Sequence, residues 1–370
     1  MSAIRFFQIL ILLFCTTQAE AQFRKYSNEF LNIGAGARGM AMGGANIASV
    51  ADGTAGYWNP AGLVNVNEGT QVNLMHSEYF AGIGQYDFAN VAIPTTSSKR
   101  AIGVTALRFA VDDIMNTLFL VEPDGSLNYN NISPFSSADY AFLLSYAQQL
   151  SKSENKLVNF GLNAKVIHRS VGSFAKAWGF GLDAGLQIFK NKWRIGIVGK
   201  DISTTFNTWS FSFTDKEKEQ LYLTQNDIPV KSTEMTSPRL QLGLGRVFNL
   251  GKGSSILAET NFDVTFDGQR NTVISGNPVS VDPKVGLEYG YKNIFFVRGG
   301  IGNFQQGLAD GDTLNQKRVW IYQPSAGAGF RVGPVVIDYA FANLANQSNP
   351  LYTHVISLKS NLGWKNSRKK

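Results

Sequence analysis

The feature that most constrains this chain is a two-residue period that begins near residue 70 and recurs almost to the end. Over 177–189, Trp178, Phe180, Leu182, Ala184, Leu186 and Ile188 fall on one side of an extended backbone. Ala177, Gly179, Gly181, Asp183, Gly185 and Gln187 fall on the other. Over 157–169, Val158, Phe160, Leu162, Ala164 and Val166 oppose Asn159, Gly161, Asn163, Lys165 and Arg169, with Ile167 an exception on the polar face. Over 254–266, Ile256, Ala258, Phe262, Val264 and Phe266 oppose Glu259, Asn261, Asp263 and Thr265. A helix would scatter these residues around its axis, whereas a strand sorts them onto two faces. The period predicts about fourteen strands, most near the roughly 9–11 residues a tilted membrane strand needs. Their spans are 70–80, 85–94, 100–110, 138–149, 157–170, 176–189, 192–201, 238–249, 254–267, 283–291, 294–302, 324–332, 335–344 and 353–363.

The connections sharpen this. Those after even-numbered strands are short and mostly rich in turn residues: Thr95–Lys99, Ser151–Lys156, Lys190–Asn191, Leu250–Gly253, Lys292–Asn293 and Gly333–Pro334. Those after odd-numbered strands are mostly long: 111–137, 202–237, 268–282, 303–323 and 345–352, with 81–84 and 171–175 as short exceptions. Outer-membrane barrels have short periplasmic turns and longer extracellular loops, and an even strand number puts both termini in the periplasm. The expectation is an all-β, antiparallel transmembrane barrel of about fourteen strands in the outer membrane of a Gram-negative bacterium, embedded in the lipid bilayer.

Composition agrees. Charged residues are 16% of the 370, against roughly 25% in ordinary soluble chains. Mean hydropathy is nonetheless close to zero, at −0.09, as alternation between apolar and polar residues produces. An exported β-sandwich or lectin is the competing fold. It would have to bury Lys165, Asp183, Arg194, Glu259, Asp263, Lys284, Glu288 and Arg298 in one core, at high cost. A wide barrel gives the same residues a wet or plugged lumen. Trp193, Tyr289, Tyr291 and Trp364 fit interfacial girdles near strand ends. Inward Gly179, Gly181, Gly185, Gly286 and Gly290 leave room for a plug. The net charge of +7 comes from scattered residues and a basic tail at Lys365, Arg368, Lys369 and Lys370, so no nucleic-acid partner is expected.

Residues 1–21 read as a signal peptide. Arg5 supplies the positive region, 9–14 the apolar run, and Ala19-Glu20-Ala21 the cleavage site, leaving Gln22 first. The run is too short to span a bilayer. Cys15 follows bulky Phe14, which argues against lipoprotein processing, and the mature chain then has no cysteine for a disulfide, a metal or a nucleophile.

Residues 22–69 break the strand pattern, leaving 70–370 as the barrel. Gly34-Ala35-Gly36-Ala37-Arg38-Gly39 matches G-x-G-x-x-G, with Asp52 at a tempting distance for a ribose. No buried strand and βαβ unit surround it, and Gly43-Gly44 interrupts the required helix. The better reading is an N-terminal plug or hatch of small residues. Gly34, Gly36, Arg38, Gly39, Gly43, Gly44 and Gly62 allow close packing, Asn59-Pro60 marks a turn, and Trp58 and Leu63 anchor against the wall. A flexible periplasmic arm is the alternative.

The Gly-Ala-Arg-Gly, Met-Gly-Gly-Ala and Trp-Asn-Pro-Ala-Gly-Leu pieces within 34–63 resemble the N-terminus of the PorV/PorQ proteins of Bacteroidetes. The ending Ile337-Asp338-Tyr339-Ala340-Phe341 followed by Thr353-His354-Val355-Ile356-Ser357-Leu358 resembles the same family. The Asn-Pro-Ala element is shared more widely with FadL-type fatty-acid transporters, which have fourteen strands and an N-terminal hatch. The resemblance implies a role in the type IX secretion system. Partners would be the secretion translocon barrel and exported cargo proteins bearing a C-terminal signal domain, which pass to the attachment machinery. No loop motif of the family is assignable here, which leaves open the main shuttle or a paralogue.

Site chemistry is sparse. His76, His168 and His354 fall on different strands without metal spacing, and no G-x-S-x-G is present. Leu308-Ala309-Asp310-Gly311-Asp312 offers two carboxylates, and Asp267 lies in another loop, so no calcium site is drawn. No catalytic residue, metal or cofactor is expected. The alternative function is a FadL-like transporter of small hydrophobic molecules, and an enzymatic barrel ranks last. A transporter should show an apolar pocket beside the plug and a gap in the wall. A secretion barrel should bind partners through its long loops. The foremost is 202–237, whose Trp209, Phe211, Phe213, Leu221 and Tyr222 make a partner surface or fold over the barrel mouth.

Overall fold

A computed structural model describes residues 22–23, 26–66, 69–95, 99–122, 124–229, 231–309, 317–345 and 352–363. The expected signal peptide, Trp364 with the basic tail, and 310–312 lie outside the described residues.

Fourteen long strands form the wall. They are β1 (Thr70–Tyr79), β2 (Gly84–Pro94), β3 (Arg100–Asn116), β4 (Ser133–Ser153), β5 (Lys156–Val171), β6 (Ala175–Lys190) and β7 (Trp193–Lys200). Then follow β8 (Arg239–Gly251), β9 (Ser254–Thr265), β10 (Ser280–Tyr291), β11 (Phe295–Leu308), β12 (Arg318–Val332), β13 (Val335–Ala342) and β14 (Thr353–Leu362). Each pairs antiparallel with its sequence neighbours, and β14 returns to β1 from His354↔Glu78 to Leu362↔Thr70. Closure leaves no free sheet edge, which a membrane requires because lipid cannot hydrogen-bond to backbone.

The wall is inside-out relative to a soluble protein. Leu74, Val91, Val104, Phe142, Leu144 and Phe180 are exposed on the outer face, while Asn73, Asn90, Thr105, Ser145, Asn163 and Asp183 are buried within. Register explains the sorting: Asn73, Asn90 and Thr105 lie in one transverse row. The apolar exception Ile167 is fully buried in a second inward set with Met75, Tyr86, Phe88, Leu107 and Leu143. Trp193, Tyr289 and Tyr291 are exposed near the short-turn end. Nearer the long-loop end, His168 lies between Tyr140 and Trp178, and His354 stacks on Phe341 and bonds the Tyr339 hydroxyl at 2.7 Å.

The expected loop 202–237 requires correction. After a kink at 201–204 the chain resumes as Thr205–Phe211, still paired to the outer part of β6. Ser232–Thr236 pairs with it and runs on into β8. Strands seven and eight are thus long and kinked. Sequence reading missed the continuation because each piece is short. A capped helix, Asp215–Leu223, joins them, with Thr214 and Glu217 forming a reciprocal capping box. The expected loop 303–323 likewise begins as strand, since β11 and β12 extend to Leu308↔Arg318.

Residues 26–66 lie inside the barrel as short turns. Helix Ala55–Trp58 and the 3-10 turn Pro60–Asn65 touch β2 to β6 on one side, and helix Ala37–Ala41 touches β11 to β14 on the other; the 3-10 turn Glu29–Asn32 comes before them. The segment begins at the long-loop end, where Gln22–Phe23 pair in parallel with Glu234–Met235. Gln22 and the end of β14 therefore sit at opposite ends of the barrel. The inner segment runs lengthwise through the lumen, which strand parity cannot reveal.

Candidate functional site

The inner segment is seated by missing side chains on both partners. A Cβ on wall residue Gly300 would stand 2.0 Å from the Met42 carbonyl carbon and 2.3 Å from the Gly43 nitrogen. One on Gly161 would meet the Ala61 nitrogen at 2.4 Å. Of the expected wall glycines, Gly185 and Gly286 admit Asn59 and Met42, Gly179 and Gly181 crowd Asn207 and Thr205 instead, and Gly290 has looser neighbours.

Gly34, Gly36, Gly43 and Gly44 all have positive φ, and Gly39 leaves room for the Trp58 ring. The Trp58 indole donates to the Ala35 carbonyl at 2.7 Å. Asn59 is fully buried, caps the following turn by accepting from Ala61 N–H, and donates to the Ile47 and Leu186 carbonyls, both at 3.1 Å. Pro60 opens that turn, where its missing N–H is harmless. Gly62 lies against the Val50 carbonyl, and Leu63 is fully buried. Three N–H groups of the G-x-G-x-x-G stretch are occupied. Gly34 N–H donates to the Tyr57 hydroxyl, Gly36 N–H to Met75 sulfur and Ala37 N–H to Ser357. Among the described residues no strand leads directly into the stretch, and the helix that follows is only Ala37–Ala41, which makes no phosphate cradle.

Charge pairs fix the segment to the wall. Arg38 makes a two-point contact with Glu288, at 2.8 and 3.2 Å, and bonds Asn46 and Ser49. Arg298 shares Glu288 at 2.7 Å and reaches Asp338 at 2.6 Å. Lys359 holds Asp52 at 3.0 Å, and Glu259 accepts from Ala48 N–H at 2.7 Å. Burial alone would raise the Asp52 carboxyl, but Lys359, the Thr54 hydroxyl and Arg38 outweigh it and hold the group well below the usual carboxylate range. Burial pushes the Tyr57 phenol well up, and its hydroxyl donates to the Leu31 carbonyl. Breaking one partner of such a pair costs far more than the intact pair contributes.

Above this floor, toward the long-loop end, lies a cavity of about 640 Å³. Its apolar lining includes Phe30, Met40, Trp58, Tyr79 and Phe109. Its ionic lining includes Asp139, Arg169, Lys200, Arg239, Asp263, Asp282 and Lys284. Lys284 is bonded to Asp263 at 2.7 Å, and Arg239 donates to Asn32. Deeper in the wall, Lys165 bridges Asp183 and Asp201 at 2.7 and 2.6 Å. Among the described residues no group of three or more His, Cys, Asp or Glu is placed to hold a metal. The cavity was not legible in sequence, because its lining comes from segments far apart in the chain.

The expected loop cluster divides. Trp209 is buried on the kinked extension under the Arg169 guanidinium. Phe211 stacks with Trp209 and Phe213, and Phe213 with Phe174. Of the five expected residues Tyr222 is the exposed one, at 80%, beside Leu223 at 62% on the same helix, while Leu221 is half-buried. Gln220 bonds the Val121 carbonyl, which joins this helix to the 117–132 loop with exposed Leu127 and Tyr129.

Closed fourteen-strand wall, inside-out polarity and an internal segment define the class, a FadL-like barrel of the outer-membrane type. Solved structures agree. The chain is similar to the CymD monoaromatic hydrocarbon channel, at 15% identity and TM-score 0.55 over 89% of this chain and 98% of that one. It is similar to the Ralstonia pickettii toluene transporter TbuX, at 14% and 0.54, and to the Pseudomonas putida toluene transporter TodX, at 13% and 0.54. Both cover 89% of this chain and 98% of theirs. No family model and no curated protein sequence matches the chain.

Proposed function

We propose that this chain is a non-enzymatic outer-membrane transporter that takes a small hydrophobic or amphipathic molecule into its lumen, with residues 26–66 as the plug. The observation that carries this is the cavity of about 640 Å³ directly on the inner segment, lined by both aromatic and ionic side chains. That volume suits a small organic ligand, and the mixed lining suits one with an apolar body and a polar end. The proteins named as hydrocarbon channel and toluene transporters share the architecture. In the expected orientation the cavity faces outward and the plug closes the periplasmic side.

A second reading is an accessory barrel of type IX secretion that binds the translocon or exported cargo. It is favoured by the exposed Tyr222 and Leu223 beside Leu127 and Tyr129, apolar surface of the kind that partners cover, and by the resemblance of 34–63 to PorV/PorQ proteins. A mild-detergent pull-down of the tagged protein from its own cells, read for both proteins and small molecules, separates the two. A stoichiometric small hydrophobic molecule supports the transporter. A giant translocon barrel or exported proteins, without such a molecule, would replace it with the secretion reading.

A further inference from the structure

The short-turn end of the barrel is strongly basic. Over 99–100, 151–156, 190–194, 250–253 and 292–293 there are nine Lys and Arg against one carboxylate, Glu154. Two of the long loops have the reverse balance. Residues 111–131 carry Asp112, Asp113, Glu122 and Asp124 and no Lys or Arg, and 212–227 carries four acids against Lys216 and Lys218. Such an asymmetry does not decide the fold, but it selects what each end attracts.

The basic excess has a centre on the outer wall. Register places Lys156 of β5 opposite Lys190 of β6, Lys190 opposite Trp193 of β7, and Trp193 opposite Arg246 of β8. All four are exposed. The next outward row toward the long loops is Val158, Ile188, Ile195 and Leu244. A wholly apolar row thus gives way in one step to three cations and a tryptophan. That step marks the edge of the hydrocarbon, where Trp and long basic side chains reach headgroup level.

The row is stitched by backbone. The Asn191 N–H donates to the Asn155 carbonyl at 3.0 Å, and the Val247 N–H to the Lys192 carbonyl at 2.9 Å. The Arg246 guanidinium lies 4.8 Å from the Trp193 ring centre and 5.1 Å from that of Phe248, so it rests on the wall. Lys156 and Lys190 face each other on adjacent strands, roughly 5 Å apart at the backbone. Like charges in that position repel. Among the described residues none of the three cations is ion-paired to a carboxylate, Glu154 included. An anion between the two lysines turns the repulsion into attraction.

We propose that this row is a binding site for the phosphate headgroup of an anionic phospholipid, in the leaflet at the short-turn end. The phosphate sits between the Lys156 and Lys190 ammonium groups, each a mobile charge with three donors. Arg246, flat on Trp193, takes a further phosphate oxygen. The acyl chains lie along the apolar row. An acidic protein is the poorer fit, because these cations stand directly beneath lipid-facing residues rather than on a projecting loop. The site depends on the barrel's place in the membrane and not on what the lumen carries.

Native mass spectrometry of the detergent-purified protein, titrated with dioleoyl phosphatidylglycerol or dioleoyl phosphatidylcholine, tests this. The first phosphatidylglycerol should bind at least about tenfold tighter than phosphatidylcholine, and Lys156→Gln, Lys190→Gln or Arg246→Gln should each cut that preference about fivefold. Lys99→Gln with Lys252→Gln and Lys292→Gln removes three charges from the same end but off the row, and should change the preference by less than about twofold. Lys190→Glu supplies a readout that a merely structural role would not give. It replaces the repulsion with a pair, so without lipid it should melt above the parent by roughly 1–3 °C. Phosphatidylglycerol should then raise the melting temperature of the parent but not of this variant. Equal binding of the two lipids, or equal loss in row and off-row variants, overturns the site. A phosphatidylglycerol preference that the row variants keep, while they lose an acidic protein from the pull-down, overturns it in favour of that protein.

Discussion

Gly300→Ala isolates the fit between inner segment and wall. The new methyl would stand 2.0 Å from the Met42 carbonyl carbon, 2.3 Å from Gly43 nitrogen and 2.4 Å from Met42 oxygen. Ordinary contact begins near 3.4 Å, so backbone on one side must retreat by more than an ångström. Neither side is free to do so. Gly300 is paired to Gly286 and Ser325 within the wall, and Gly43 sits five residues from Arg38, which is pinned to Glu288. Overpacking a filled interior costs about 1–3 kcal/mol, and rigid backbone on both sides places this site at the upper end. Gly299→Ala is the control, because its added carbon faces the other way with nothing nearer than 3.9 Å. The assay is limited proteolysis of the detergent-purified barrel, with cleavage within 26–66 followed by mass spectrometry, beside a circular-dichroism melt. Gly300→Ala should be cut faster there by roughly thirty- to a hundredfold while strand content is kept. Equal cutting of the two variants would refute the claim that close backbone contact seats the segment.

Three further outcomes follow from the same contacts. Glu288→Gln should destabilise the docked segment by about 3–5 kcal/mol in a chemical-denaturation series, because it leaves Arg38 and Arg298 short of a charge, whereas Arg38→Met with Glu288→Leu should cost less than Glu288→Gln alone. Asp52 has a depressed folded pKa, so its contribution is complete above the unfolded value of about 3.9 and is lost as pH falls below it; Asp52→Asn should flatten that acid limb of the melting-temperature profile. Tyr222→Ser with Leu223→Ser should leave the melt within about 0.5 kcal/mol of the parent, since both side chains are exposed, and should reduce protein capture in the pull-down only if the secretion reading holds.

Much of the wall was legible because a strand states its facing in every second residue. Phe160, Leu162 and Val166 against Asn159, Asn163 and Lys165 fixed a strand and its polarity at once. The alternation of short and long connections supplied the strand count. Ile167 looked like an error in the pattern, yet it marks where the inner segment meets the wall, and Leu107 and Leu143 share its inward cluster. The small residues at 34–62 announced tight packing but not against what. That depends on pairs such as Arg38 with Glu288 and Gly43 with Gly300, joined only by folding. The kink at 201–204 was hidden because Thr205–Phe211 and Ser232–Thr236 are too short to display a period.

The central claim is that the inner segment closes the lumen beneath a ligand cavity. Single-channel recording in planar lipid bilayers addresses it most directly. The intact protein should show no steady conductance, and a variant carrying Gly300→Ala with Glu288→Gln should show discrete openings as the segment loosens. Steady, large conductance from the intact protein would contradict the account.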